Sequence, residues 1–347
     1  MCLSDSRASI VQLGLGKGNF TFKPVAWCGF EIPNGLIVNG EIQKAKELLF
    51  FLKKEWNKRA RGNFTSHSVL LALPEVQTYS MDFTFTSVLN EEELRELVPN
   101  EIIKTFPFSI DKIYWDFRVV YNDGEKKHVF CVVSEKRVVQ DYVRLLRGLN
   151  KEVEVVTSES EALSFPFQES SQKQGELFVR MREHESLFFI HEKEMIYLST
   201  DMGWGFGDLV DKLAKKGKQA RVREYFFKKG LSGKRRRSRM DKNIAVVLSP
   251  WIEKIKRVAR DYQKIKQGEI GCVLILGQAS LIPHLDVLLT QELKLPVKIA
   301  TGPYDISQIK KWNAAHLGAA GLSQRSFSRH FGKFEGINLL REAVDLD

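Results

Sequence analysis

The sequence predicts an α/β fold that includes a smaller, compact α+β unit. Apolar segments of strand length, such as Val69–Leu73 and Cys272–Leu276, alternate with longer segments whose apolar residues recur every three or four positions. This alternation is typical of α/β proteins. The stretch 78–156 has its own compact succession of strands and helices. The 347 residues, of which 43% are hydrophobic, suffice for two lobes with sizeable cores.

The first part of the chain predicts two strands and then a helix. A strand begins at Ile10, a second runs from Pro24 to Ile32, and the segment from Gly40 to Trp56 has the apolar period of a helix. The stretch 78–156 is predicted to follow the ferredoxin-like order β-α-β-β-α-β. Its elements are the strand Met81–Phe85, a helix capped by Asn90 and Glu93, strands from Ile113 and Val129, the helix Glu135–Leu149 and the strand Val153–Val156.

The second half predicts three strands followed mainly by helices. Ser249-Pro250 is predicted to start a long helix, because proline is favoured at the first helical position. The small-residue helix Trp312–Leu322 is suited to close packing. The other predicted elements are the strands Leu177–Val179, Leu187–Ile190, Met195–Leu198, Cys272–Leu276 and Pro296–Ala300 and the helix Leu281–Leu293.

One segment accounts for the net charge of +10. Residues 212–242 hold fourteen Lys and Arg against two acids, so the rest of the chain is close to neutral. Two polar segments, 168–176 and 228–242, are predicted to be loops. The basic loop is interpreted as solvated, with contact to an anionic membrane surface as the alternative. Nucleic-acid binding is disfavoured, because the KRRRSR core contains no stacking aromatic side chain.

The composition excludes several classes of protein. No apolar run approaches the ~18 residues that span a bilayer, and the N-terminus MCLSDSRASIV has no signal-peptide pattern. The four scattered cysteines form no CxxC pair, and the seven histidines form no HxxxH or HExxH pattern. Neither disulfides nor a metal site is therefore expected. No GxSxG nucleophile elbow occurs, so we predict no catalytic residue. The scattered cysteines predict a reducing, cytoplasmic location.

Four stretches, in the right order, resemble the PilM family of type IV pilus assembly proteins, which are actin-like relatives of the cell-division protein FtsA. They are spread over almost the whole chain, and their joint order makes the resemblance specific. The four stretches are FEIPNGLIVNGEI (30–42), LNEEELRELVPNEIIKTFPFSIDKIYWDFRVV (89–120), the long helix leading into LILGQASLIPHLDVLLTQELKLPVKIA (249–300), and the small-residue helix (312–322).

The resemblance implies two actin-like lobes with the ferredoxin-like subdomain inserted in the first. In this family a nucleotide lies between the lobes, and the partner PilN binds through its N-terminal peptide in a groove near the inserted subdomain. The boundaries expected from the resemblance are 1–77 with 157–167 for the first lobe, 78–156 for the subdomain, 168–322 for the second lobe and 323–347 for a C-terminal tail.

The first phosphate-binding turn of the family is poorly matched. Glycine-rich turns bring backbone N–H groups to phosphate, and nearby Asp side chains hold hydrated Mg²⁺. The family pattern, similar to GIDIGSSSvKvvEL, places Ser4, Asp5 and Ser6 at the turn and Cys2 where the family has Asp. The strand before this turn is almost absent. We expect either that the coding sequence starts upstream or that the first strand is missing.

The second phosphate-binding turn also departs from the family. Its pattern, similar to DIGaesTdlvvv, places Val179 at the Asp, Met181 at the Gly and Glu185 at the Thr. The bulky Arg180 and Arg182 are expected to prevent close approach of the backbone to phosphate. Both arginines are interpreted as part of a solvated turn, with direct phosphate binding as the alternative.

The adenosine turn is partly retained. The family pattern GGgA is replaced here by Gly277-Gln278-Ala279. The candidate nucleotide-binding residues are therefore Ser4, Asp5, Ser6, Gly277 and Gln278. ATP with Mg²⁺ is implied by the resemblance, but these substitutions predict weak or absent binding and hydrolysis.

The C-terminal tail contains the sequence INLL at 337–340, and the N-terminal peptide of PilN-type partners resembles INLLP. One interpretation is a tethered partner peptide that occupies the groove of this chain or of a neighbour, which would allow self-association. The other is a chance amphipathic tail. The candidate partner-binding residues are Ile337, Asn338, Leu339, Leu340, Phe106 and Phe108.

These observations predict a PilM-like assembly scaffold that is peripheral to the inner membrane and docks a membrane-anchored PilN-like protein. An active actin-fold ATPase is the main alternative. The cytoplasmic region of the type II secretion protein GspL, which shares the actin-like body, is a further one.

Overall fold

Two α/β lobes, each built on a five-stranded sheet, and a smaller three-stranded sheet form the protein. In each large sheet an antiparallel meander of three strands is extended by two parallel strands. The lobes therefore repeat one topology. The computed structural model describes residues 1–16, 22–167, 174–192, 195–214, 217–232, 239–266, 268–304, 314–330 and 336–341.

The first lobe contains the beginning of the chain as a short strand at the centre of its sheet. Cys2 lies opposite Ser9 on one side and Ala72 on the other, so a first strand of two residues is present. The sheet order is β10-β6-β1-β2-β3. The bounds are β1 Cys2–Leu3, β2 Arg7–Leu15, β3 Phe22–Glu31, β6 Ser68–Leu73 and β10 Glu152–Ser158, with β4 Ile37–Val38 and β5 Glu41–Ile42 pairing separately.

The second lobe has the sheet order β13-β12-β11-β14-β15 and a core of its own. Its long helix begins ten residues before the predicted start at Ser249, so Pro250 lies inside it. Fully buried residues continue at helical spacing on both sides of the proline, which explains the longer helix: Ile244, Leu248, Trp251 and Ile255. The bounds are β11 Gly175–Met181, β12 Ser186–Glu192, β13 Met195–Met202, β14 Ile270–Gly277, β15 Val297–Ile299, α5 Phe206–Leu213, α6 Gln219–Lys228, α7 Arg239–Lys266 and α8 Leu285–Leu293.

The inserted subdomain packs one helix on one face of its sheet, which has the order β7-β9-β8. The predicted capping box is present: the Asn90 side chain accepts from the Glu93 N–H, and the Glu93 side chain accepts from the Asn90 N–H. On β8, Ile113 and Phe117 belong to the cluster shared with the helix. The bounds are β7 Tyr79–Thr86, α2 Glu91–Thr105, β8 Ile113–Asn122 and β9 Lys126–Glu135.

The predicted ferredoxin-like unit is shorter than expected at its C-terminal end. The strand at 153–156 does not close the inserted sheet, because β10 pairs in parallel with β6 of the first lobe. The helix before it, α3 (Lys136–Arg147), buries Val139 and Tyr142 in the core of the first lobe. The segment pairs with β6 because parallel strands are buried on both faces, whereas a strand at the edge of the small sheet would be less buried.

The C-terminal helix also belongs to the first lobe, although the predicted second lobe extended to residue 322. Helix α9 (Leu317–His330) packs on α4 (Glu159–Ser164) and on β2. A Cβ atom at Gly321 would lie 2.2 Å from the Ala162 carbonyl oxygen, so only glycine permits this approach. The remaining helix of this lobe is α1 Ala45–Arg59.

The predicted loop 168–176 lies largely outside the described residues, and strand β11 begins at Gly175. Of the predicted loop 228–242, only 233–238 lies outside them. Helix α6 ends at Lys228 and α7 begins at Arg239, so this loop is shorter than predicted. Within the part of the chain that the structure describes, no helix has both the length and the apolar composition to cross a membrane.

Candidate functional site

A cleft between the two lobes encloses a cavity of about 400 Å³. Its walls come from the first turn of lobe one, the start of α4, the hairpin between β11 and β12, and the turn after β14. These are the places where the sequence predicts the phosphate and adenosine turns. Lining residues include Ser6, Glu159, Arg182, Glu183, Arg223 and Gln278.

The first turn places its three candidate residues in different surroundings. Ser4 is buried, and its N–H donates to the Arg7 carbonyl within the turn (3.0 Å). The Asp5 carboxylate accepts from the backbone N–H groups of Asn39 (2.6 Å) and Gly40 (2.7 Å). Asp5 therefore anchors the β4–β5 turn, and Ser6 is the candidate here that lines the cleft.

The second turn is a tight hairpin closed by its own backbone. The Arg182 N–H donates to the Glu185 carbonyl (2.8 Å). The carbonyls of Arg182 and Glu183 accept from the N–H groups of Phe206 and Gly207 (both 2.7 Å), at the beginning of α5. The first N–H groups of this helix are thus used within the protein. Val179 and Met181 are fully buried in the core of the second lobe.

Two arginines of this hairpin hold a carboxylate of the first lobe. Glu159, in the first turn of α4, is buried and forms ion pairs with Arg180 and with Arg182. Arg182 also donates to the Glu185 carboxylate (2.7 Å). Burial, together with the neighbouring Arg182 guanidinium, lowers the pKa of Arg180 to about 9. The interpretation of Arg180 as solvated was wrong, because only 6% of it is exposed and it pairs across the lobes.

A second charged group lies at the tip of the hairpin. The Glu183 carboxylate accepts from both amino groups of Arg223 and from the Gln278 amide (3.0 Å). Burial raises the pKa of Glu183, but the hydrogen bonds from Arg223 and Gln278 outweigh it and keep that pKa below its usual range. Gln278 therefore faces a carboxylate of the hairpin in this structure.

The adenosine turn keeps its first glycine for a steric reason. Gly277 has φ +69°, and a Cβ atom there would lie 2.3 Å from the Met181 carbonyl oxygen. Any other residue would force the turn away from β11. Of the predicted nucleotide residues, the structure brings Ser6, Gly277 and Gln278 to the cleft, whereas Ser4 and Asp5 support the turn.

A second site, a groove between the inserted subdomain and the first lobe, holds part of the C-terminal tail. We call residues 336–341 the tail segment. The Leu339 N–H donates to the Val156 carbonyl on the edge strand β10 (2.8 Å). The Asn338 side chain accepts from the Val156 N–H and donates to the Glu154 carbonyl, both at 3.1 Å. Asn338 therefore pairs with β10 through its side-chain amide.

Charged side chains on both walls of the groove also hold the tail segment. The Asn338 N–H donates to the Asp116 carboxylate on β8 (2.7 Å), and Arg341 lies 3.4 Å from the same carboxylate. Arg325 of α9 donates to the Ile337 carbonyl (2.5 Å). Burial raises the pKa of Asp116 to about 6, although Arg341 and the Asn338 N–H act in the opposite direction.

The apolar residues of the tail segment are buried, with exposures of 0% for Ile337 and 1% for Leu339. Both belong to the apolar cluster of the first lobe. Phe106 and Phe108 lie elsewhere, in the cluster between α2 and the opposite face of the inserted sheet. The structure thus joins the four predicted tail residues to a groove but does not bring Phe106 or Phe108 to it.

Sequence reasoning missed Glu159, Asp116 and Arg325. Asp116 is a charged residue inside the mainly apolar predicted strand at 113–119, and a charge at a position expected to be buried is a usable signal. Glu159 and Arg325 stand in polar stretches outside the predicted elements and gave no such signal. The partners of the three residues are 12 to 225 residues away in the sequence. The described residues contain no group of three His, Cys, Asp or Glu side chains placed to hold a metal ion.

Comparison with known proteins agrees with this topology. The profile of the family described as type IV pilus assembly protein PilM matches residues 2–201. The solved PilM–PilN type IV pilus biogenesis complex is similar over 93% of this chain and 96% of that one, with a TM-score of 0.76 and 16% identity. The ethanolamine utilization protein EutJ from Carboxydothermus hydrogenoformans covers 90% and 89%, with a TM-score of 0.49 and 12% identity.

The cytoplasmic domain of EpsL, from the type II secretion system of Vibrio cholerae, is similar over 97% of this chain and 99% of that one, with a TM-score of 0.44 and 11% identity. No curated protein sequence matches the chain. The repeated lobe topology and the cleft define an actin-like protein, as predicted. Because the family profile covers more than half of the chain, the protein belongs to the PilM family of type IV pilus assembly proteins.

Substitution of Glu159 by Gln tests the ion pairs across the cleft. The change removes the buried anion that two guanidinium groups share and leaves them only Glu185. We expect a loss of roughly 3–5 kcal/mol in the free energy of unfolding, measured by urea denaturation. Glu224→Gln, which breaks the exposed pair with Lys228, is the control and should cause no measurable change. The double substitution Glu159→Leu with Arg180→Met should recover part of the loss. A fully stable Glu159→Gln protein would contradict this role.

Proposed function

We propose that this protein is an assembly scaffold of a type IV pilus machine that docks a membrane-anchored, PilN-like partner at the cytoplasmic face of the inner membrane. In this proposal the scaffold does not depend on efficient ATP hydrolysis. The observation that carries it is the pairing of Glu159 with Arg180 and Arg182 inside the cleft. Family membership favours a pilus protein over the GspL-like alternative.

The chemistry of the cleft supports a weakened nucleotide site. At the two positions where the family resemblance expects an Asp for Mg²⁺, the chain has Cys2 and Val179, and both are buried. Burial raises the pKa of the Cys2 thiol, which keeps it neutral and a poor ligand for Mg²⁺. The cationic groups nearest the second turn, Arg180 and Arg182, already neutralise Glu159. The residues present therefore do not fit hydrated Mg²⁺ between two phosphates.

Titration with MgATP tests this part of the proposal. We expect no binding heat at micromolar concentrations of the protein and no phosphate release above a buffer control, because the usual Mg²⁺ carboxylates are replaced. The measurements are isothermal titration calorimetry and a phosphate-release assay on the purified chain. Micromolar binding together with turnover would overturn the proposal in favour of an active ATPase.

The groove supports docking of an extended peptide. Its floor is the edge strand β10, whose outer backbone groups, here paired with the tail segment, can pair with an extended peptide. Apolar burial sites lie beside a carboxylate from Asp116 and a guanidinium from Arg325. A solved relative is a complex of PilM with PilN. We propose that the N-terminal peptide of a PilN-like protein uses this groove here.

Capture of the detergent-solubilised membrane partner tests docking. The immobilised chain should retain the full-length PilN-like protein, because that partner carries the peptide that adds to β10. For a partner that lacks its N-terminal cytoplasmic residues, the amount recovered in the eluate should be at least tenfold lower. Equal retention of the shortened partner would place the contact elsewhere.

The basic segment 212–242 supports a position close to anionic lipid. Its Lys and Arg residues outnumber its acids by twelve, and each basic residue near an anionic bilayer contributes about 1 kcal/mol. Part of this charge is already used, because Arg223 pairs with Glu183 and Lys228 with Glu224. The cluster at 234–239 is the part that we propose faces the membrane.

Liposome flotation tests this membrane contact. The full chain should float with vesicles that contain about 30% phosphatidylserine and remain at the bottom with neutral vesicles, since the attraction is electrostatic. A variant with Lys234, Arg235, Arg236 and Arg237 changed to Ser should lose most of the floated fraction. Undiminished flotation of that variant would refute the membrane role of the segment.

A further inference from the structure

We infer that the tail segment is an intramolecular ligand of the groove, which competes with an extended peptide of the pattern apolar–Asn–apolar on another chain. This inference deepens the partner docking proposed above and rests on it, because it concerns the regulation of the same site. The occupant is settled by the structure, in which residues 336–341 are seated between β10 and β8.

The side chain of Asn338 imitates a neighbouring strand. In a β-ladder, one residue offers an N–H donor and a C=O acceptor to the strand beside it. The amide group of Asn338 supplies the same pair, a donor to the Glu154 carbonyl and an acceptor for the Val156 N–H. Its oxygen also accepts from the Leu340 N–H (3.1 Å), which bends the segment around the amide. A side chain without both functions cannot replace it.

The backbone of Asn338 adds a second specific contact. Its N–H donates to Asp116, a buried carboxylate that also lies 3.4 Å from Arg341 and 4.0 Å from Arg95. An Asp at position 338 would bring a second negative charge to this carboxylate and would remove the donor to Glu154. The groove therefore discriminates between Asn and the nearly isosteric Asp, which makes that substitution a sharp probe.

Burial of the flanking residues provides affinity. Ile337 and Leu339 lose almost all of their exposure, and burial of apolar side chains of this size stabilises the bound segment. Only five residues separate the end of α9 at His330 from Gly336. A linker this short gives the tail segment an effective concentration on the order of millimolar. A free peptide must compete with it, so its apparent affinity for the intact chain is lowered.

Binding of a labelled peptide with the sequence of residues 336–341, GINLLR, tests the inference by fluorescence anisotropy on the full chain. The variants Leu339→Asp and Asn338→Asp each weaken the binding of the tail segment in the groove. We expect both to bind the peptide at least tenfold more tightly than the unaltered chain does, because the groove is then open. Val246→Asp, an apolar-to-acid change on an exposed part of α7, is the matched control and should behave like the unaltered chain.

The outcomes separate this inference from docking itself. A peptide with Asp in place of Asn should bind none of the proteins, and thermal melting should show that the variants remain folded. Equal peptide affinity for the unaltered chain and both variants would overturn the inference, because the tail segment would not be competing. Absence of peptide binding to every variant would also overturn it, even where the membrane partner is still captured. Loss of partner capture alone would refute docking and leave the intramolecular ligand standing.

Discussion

A buried carboxylate that must be neutralised from the opposite lobe sets the geometry of the central cleft. Glu159 begins α4 in the first lobe, and Arg180 and Arg182 end β11 in the second. An unpaired charge at this depth would cost several kcal/mol, so the hairpin of the second lobe is held against α4. These charged groups of the two lobes therefore form ion pairs with one another.

In the proposed function, the lobes are held by ion pairs that belong to the chain, where a nucleotide would otherwise bridge them. Glu75 adds to the same interface: it accepts from Ser160 of the first lobe and from Ser199 of the second. Burial raises the pKa of Glu75 by more than these hydrogen bonds lower it, so its protonated form is favoured more than in an exposed glutamate.

Buried charges also shape the second site, the groove between the inserted subdomain and the first lobe. Strand β8 points Arg118 at Glu161 of α4 (3.3 Å) and Asp116 at the tail segment. The buried charges thus attach the subdomain to the first lobe on one side and form a wall of the groove on the other. Because β10 is an edge strand, it needs a cover against unwanted pairing. The tail segment provides one, and its sequence resembles the peptide of a proposed partner.

The sequence by itself determined the local elements and the family. The Asn90 capping box and the apolar periods depend on neighbours within a few residues, and these predictions agree with the structure. Tertiary structure alone decided which lobe receives α3, β10 and α9, because strand pairing with β6 and the close approach of Gly321 to Ala162 join distant parts of the chain. The tertiary structure also decided which residues meet in the cleft and in the groove. The partners of Glu159 and Asn338 are distant in sequence, and burial makes them depend on each other in a way that no local pattern records.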